Sequence, residues 1–142
     1  MATSNAATTY LENKILSFIF KNNAASFTTP GDSIYVGLAT AVSDAEAGSL
    51  TEATFGSYQR KQVTAANWNL VSASTDQQVV TNAGNIEFAA STGTTNTVTH
   101  AFLADAASSG NILFVGALDA SKTIATGDIF RINAGNLSIE LK

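Results

Sequence analysis

His100 is the only histidine in 142 residues, and there is no cysteine. Those two counts decide most of the chemistry available to this chain. A Ser–His–Asp unit would have to be built around His100. That residue lies between Thr99 and Ala101 in an alternating run, in phase with Val98, Phe102 and Ala104. It therefore reads as a buried or half-buried ring with a hydrogen-bond partner. Disulfides and thiolate metal sites are excluded outright. Oxygen-ligand sites remain open in principle. Asp44, Glu46 and Glu52 fall in one stretch, but the spacing of a Ca²⁺ loop is missing, so a solvated acidic loop is expected. Paired carboxylates for glycoside hydrolysis need only converge in space and leave no trace in sequence. A single tryptophan, Trp68, offers little aromatic surface for a sugar cleft. Neither a G-x-S-x-G elbow nor a P-loop is present. The expectation is a protein that is not an enzyme, with no catalytic, cofactor or metal residues.

If these residues do no chemistry, contact is the alternative. Only 13% of residues are charged and the net charge is −4, against about a quarter charged in ordinary domains. A surface this poor in charge suits extensive contact with copies of the same protein. The basic residues Lys14, Lys21, Arg60, Lys61, Lys122, Arg131 and Lys142 are scattered. They form no footprint for a phosphate backbone, so nucleic acid is not an expected partner. No membrane partner is expected either, because the longest apolar run falls far short of the ~20 residues of a spanning helix. The opening Met1-Ala2-Thr3-Ser4-Asn5 has neither a basic nor an apolar region and does not read as a signal peptide. Trp68 is a candidate contact residue, though an isolated aromatic in a β-protein commonly belongs to the core.

The elements that must position these residues can be read in order. Thr9 and Glu12 have the spacing of a capping box. Leu11, Ile15, Phe18 and Ile19 then recur at helical spacing, with Leu16 and Phe20 widening the face. This predicts an N-terminal helix at about 9–22, stopped by Asn22-Asn23 and the later Pro30-Gly31. Its apolar stripe has two readings: packing on the domain's own sheet, or an arm that docks on a neighbouring copy. After Gly31 the period falls to two. Strands are expected at Ile34–Leu38, at Tyr58–Val63 with Tyr58, Arg60 and Gln62 facing one way, at Val79-Val80 and at Ile86–Ala89. Trp68 and Leu70 fall in a short segment between polar stretches, and 42–55 reads as a projecting loop. Val98–Ala104 and Ile112–Leu118 flank a hairpin-like turn at Ser108-Ser109-Gly110-Asn111. Phe130–Ile132 and Leu137–Leu141 close the chain. Seven or eight short strands between about 33 and 141 predict one mainly β domain over 1–142. Its fold is expected to be an antiparallel β-sandwich or jelly roll with one N-terminal α-helix. The candidate interface residues are Leu11, Ile15, Phe18, Ile19, Tyr58, Arg60 and Trp68.

This order of segments also carries a resemblance. The pieces are YLENKILSFIF, IYVGLATAVSDAEAG, GSYQRKQVTAANW, NAGNIEFAAST, TVTHAFLADAASSGNILFVGAL and SKTIATGDIFRINAGNLSIEL. Together they resemble a small family found widely in tailed-phage genomes, labelled tail-fibre-like or minor virion structural proteins. The strongest pieces are Tyr35-Val36-Gly37-Leu38, the Tyr58-x-Arg60 pair, and the succession Gly110-Asn111, Lys122-Thr123, Gly127-Asp128. The resemblance implies a virion structural protein, assembled in the host cytoplasm. Two placements follow. No repetitive or coiled-coil shaft is visible, which favours a capsid decoration (cement) subunit attached many times to the head. The alternative is a tail-fibre-like, tail-tip or baseplate module, with a possible host-binding role for its polar loops. The expected partners are the protein itself, as a homo-oligomer and specifically a trimer, and other virion proteins such as the major capsid protein or tail proteins.

Overall fold

The structure is a computed structural model that describes residues 5–21, 34–74 and 77–141. Helix α1 spans Thr9–Lys21; residue 22 and the stop signals at Asn23 and Pro30-Gly31 lie outside the described residues. The N-cap is Thr8, one residue before the expected Thr9. Its Oγ1 accepts from the Leu11 N–H at 3.4 Å, and its carbonyl accepts the first helical bond from Glu12 at 3.0 Å. The same hydroxyl donates to the Ile112 carbonyl at 2.6 Å. Adjacent threonines offer the same capping chemistry; a carbonyl 104 residues away chooses between them.

Among the described residues eleven strands precede or follow the helix: β1 Ala6–Ala7, β2 Ile34–Asp44, β3 Ser49–Glu52, β4 Lys61–Val63, β5 Trp68–Ser74, β6 Gln77–Asn82, β7 Ile86–Glu87, β8 Asn96–Ala104, β9 Ile112–Ile124, β10 Arg131–Ile132 and β11 Ser138–Leu141. A 3₁₀ turn at Ala65–Asn67 leads into β5. The larger sheet has the order β1-β9-β8-β2-β3, with β4 also on β2; the smaller ones are β11-β6-β5 and β10-β7. Every pairing is antiparallel. The fold is therefore mainly β with a single helix among the described residues, as the alternating pattern predicts.

The larger sheet is buried on both faces. Val36, Leu38, Ala101, Leu103 and Leu113 face one cluster with Leu11, Phe55, Val63, Ile86, Phe88 and Val98. Ala39, Phe102, Ala104 and Val115 join a second cluster with Ala45. Successive residues of a strand point to opposite faces, so this double burial reads as a near-continuous apolar run. Gly37 pairs with Phe102, and a Cβ at Gly37 would run into the Phe102 ring. The glycine is a packing requirement here. Asn82, buried, clasps the C-terminal segment. Its amide donates to the Gly84 and Asn133 carbonyls at 2.8 and 3.0 Å, and its oxygen accepts from Leu137 N–H at 2.9 Å.

Three expectations need correction. The stretch 42–55 is not one projecting loop: β2 runs on to Asp44 and returns as β3. The turn is closed by Asp44 Oδ1 accepting from Ala47 N–H at 3.1 Å and by Gly48 at φ +67°. Alanines at 39 and 41 give the strand too little apolar contrast to show. The strand expected at 58–63 forms only at β4; residues 53–60 leave the sheet as a loop. Val98 is not in phase with His100. The β8–β9 ladder shifts between them, and Val98 is buried with the Leu103 cluster while Phe102 faces the other. His100 is half-buried, as expected, with Nδ1 2.8 Å from Thr99 Oγ1.

Candidate functional site

Strand β2 has a gap in its edge. β4 pairs with Ile34–Val36, and β3 ends, at Glu52, opposite Ala39. Between them Leu38 would be left with unpaired backbone groups, which a buried residue does not tolerate. The loop supplies both partners. Ala53 N–H donates to the Leu38 carbonyl at 2.9 Å, and Leu38 N–H donates to the Tyr58 hydroxyl at 2.9 Å. Tyr58 then donates to Glu52 Oε1 at 2.8 Å. Glu52 is held from its other side by Arg60, whose Nε and Nη2 reach Oε1 and Oε2, each at 2.8 Å. The second arm of Arg60 donates from Nη1 to the carbonyls of Ala106 and Ser109 at 2.9 and 2.8 Å. Its guanidinium also lies 5.0 Å from the Phe102 ring centre. The Tyr58 ring completes the site, edge-on to Phe55 at 5.2 Å and stacked on Phe88 at 5.9 Å.

The protonation states follow from this geometry. Burial pushes the Glu52 carboxyl up, but the hydrogen bonds from Arg60 and Tyr58 and the charge of Arg60 outweigh it and hold it below the usual carboxylate range. Burial and the neighbouring Glu52 carboxylate push the Tyr58 hydroxyl well above the ordinary phenol value, against the Leu38 N–H. The hydrogen bonds to Glu52 keep Arg60 charged more firmly still, against the cost of burial. Each group fixes its neighbour's charge, and none is poised to give or take a proton near neutral pH. The arrangement acts as a tie. It joins the broken β2 edge to the 105–111 turn, which Asp105 closes by accepting from Asn111 N–H at 2.7 Å and Nδ2 at 2.8 Å.

The residues singled out as an interface separate into two groups. Tyr58 and Arg60 meet in the tie, together with Glu52, which no sequence signal connects to them. Trp68 is half-buried against the main core, and its indole donates to the Val63 carbonyl at 3.3 Å. Leu11 is buried and Ile15 packs on the same core. The next turn of α1 leaves the sheet: Phe18 is 49% and Ile19 61% exposed. Leu16 and Phe20, which widen the helical face, are 57% and 75% exposed. Of the two readings of the stripe, packing on the domain's own sheet describes Leu11 and Ile15 only, and the later residues stay exposed. The acidic residues do not converge: Asp44 caps its turn, Glu52 serves the tie, and among the described residues no group of three or more His, Asp or Glu could hold a metal ion. His100 is pushed below its ordinary value by burial.

The most developed side-chain constellation described in this mainly β module is a closed structural tie, and four exposed apolar side chains, Leu16, Phe18, Ile19 and Phe20, cluster on the last turns of α1. The chain belongs to the family described as podophage GP4 fiber I protein gp80, which it matches over residues 6–140. That membership makes it a phage virion structural protein of tail-fibre-like type. No curated protein matches the chain.

Proposed function

We propose that the protein is a non-enzymatic, tail-fibre-like module of a phage tail that acts by multivalent attachment. The observation that carries this reading is the match to a fibre family over residues 6–140. Head decoration, favoured in sequence by the lack of an elongated element, has no comparable support. The module self-associates, most simply as a trimer, and contacts other virion proteins, with neither nucleic acid nor membrane as a partner. Leu16, Ile19 and Phe20 support self-association, since exposed apolar clusters of this kind mark contact sites. The loops at Gly56–Ser57 and Thr92–Thr94 offer a polar surface toward a host. They are joined backbone to backbone by Gly56 N–H to the Gly93 carbonyl at 2.6 Å, and their exposed Ser57, Thr92 and Thr94 present hydroxyl groups. Ser57 and Thr94 are held at φ +71° and +55°, a conformation that non-glycine residues rarely keep without a reason. Assembly takes place in the host cytoplasm.

The test is a particle map at moderate resolution with the subunit labelled, paired with particles lacking it. The expected result is density on the tail, lost host adsorption and unchanged heat resistance of the head. Hundreds of copies on the head, with leaky heads in their absence, would overturn the proposal.

A further inference from the structure

We infer that the outer face of the last turns of α1 seats in a groove on a second copy of this chain. The inference rests on the self-association proposed above and adds its mode. The helix carries more apolar surface than its own sheet covers. At 100° per residue Leu11, Ile15 and Phe18 share the core-facing arc, while Ile19, Leu16 and Phe20 continue it outward. Those three remain 57–75% exposed, so this copy's own sheets do not take them.

The same molecule has an unfilled groove of about 1480 Å³ between β9 and the segment 128–140. Its floor is small: Gly116 pairs with Ala101, and a Cβ added at Gly116 meets nothing within 4 Å. Half-buried Phe114 and Leu118 flank that glycine on β9, and Phe130, Ile132 and the exposed Ile129 line the other side. A helix with its side chains is about 10–12 Å across and rises 1.5 Å per residue, so six residues fill roughly 700–1,000 Å³. The volume of the groove exceeds this.

Charge favours this occupant. The turn 16–21 carries one charge, Lys21. The groove rim carries Asp119, Asp128 and Glu140 against Lys122 and Arg131. A basic turn thus meets a rim with an acidic surplus. Knob and groove are different patches, so the contact is heterologous and repeats around a ring when its rotation closes.

The absence of native cysteine makes the test direct. Phe20→Cys and Ile129→Cys are made singly, mixed after subunit exchange, and oxidised; sedimentation of the unmodified chain gives its oligomeric state. The expected result is an oligomer, with a covalent dimer formed in the mixture and in neither single variant. Cross-linking of Phe20→Cys alone would mean helix-on-helix pairing and overturns the inference. Cross-linking of Ile129→Cys alone, or no cross-link in an intact oligomer, also overturns it while leaving self-association standing. A monomer overturns both. As a second arm, Gly116→Phe fills the groove from a position with room for it; it is expected to dissociate the oligomer while the circular dichroism spectrum is retained. An oligomer unaffected by Gly116→Phe counts against the groove.

Discussion

Replacing Arg60 with alanine removes the centre of the tie. The Arg60 side chain is 6% exposed and that of Glu52 32%. Breaking a buried ion pair by removing one partner costs about 3–5 kcal/mol, because the other charge is left behind. Glu52 keeps the Tyr58 hydroxyl and is open enough for water to reach it, so the low end of that range applies. Against this, the Ala106 and Ser109 carbonyls lose their donor and Phe102 loses its cover. The net expectation is about 3 kcal/mol, or roughly 10 °C in Tm for a domain of this size. Arg60→Lys keeps the charge but not the fork, and recovers less than half. Urea unfolding followed by the fluorescence of Trp68, the only tryptophan, measures both. A double-mutant cycle with Glu52→Gln isolates the pair, with a coupling of about 2 kcal/mol expected between residues in such direct contact. An Arg60→Ala stability within about 0.5 kcal/mol of the parent protein would show that the tie behaves like an ordinary surface pair. The pH dependence has a definite sign. Glu52 has its folded value depressed, so its contribution is present above the unfolded carboxylate value and is lost as pH falls through the folded one. Stability should drop below about pH 4.5, and Glu52→Gln should flatten that part of the profile.

Thr8→Ala should cost about 1 kcal/mol or more through loss of the helix cap, whereas Thr9→Ala should be near neutral; thermal unfolding of the two variants ranks them. Gly37→Ala should destabilise by about 3 kcal/mol or prevent folding because its methyl enters the Phe102 ring, and Phe102→Leu in the same chain should recover part of the loss. His100 has a depressed folded value, so the unfolded state binds its proton more readily; stability should decline as pH falls below about 6.5, and His100→Asn should remove that decline without affecting particle adsorption. Leu11→Ala should cost about 2–5 kcal/mol as a core truncation, while Phe20→Ser should leave the unfolding of the isolated subunit nearly unchanged. Both are read by urea titration.

The alternation in the second half of the chain located β8, β11 and the start of β9, because those segments contrast large apolar with polar side chains; β9 continues past the expected Leu118 to Ile124, through a polar stretch that shows no such contrast. The turn at 108–111 was equally legible: Ser109 and Gly110 take φ +53° and +69°, and Gly110 advertises that freedom in sequence. The β2–β3 hairpin was hidden because Ala39 and Ala41 are small enough to suit loop and sheet alike. Tyr58 and Arg60 stood out as a pair through family resemblance. Their partner Glu52 looked like any acidic residue of a solvated stretch, since nothing local records that a carboxylate eight residues away will turn inward.

Composition and local period by themselves determined the class of this protein: no thiol chemistry, one histidine, few charges, one amphipathic helix and many short strands. Tertiary structure decided everything that depends on which distant groups meet. The Ile112 carbonyl selected Thr8 as the cap, the β8–β9 shift moved Val98 to the other face, and the β2 gap recruited Tyr58. The packing of α1 left its apolar face with Leu11 and Ile15 against the core and Leu16, Phe18, Ile19 and Phe20 exposed. A periodic pattern states that a face must be covered; only the packed chain shows how much of it remains open.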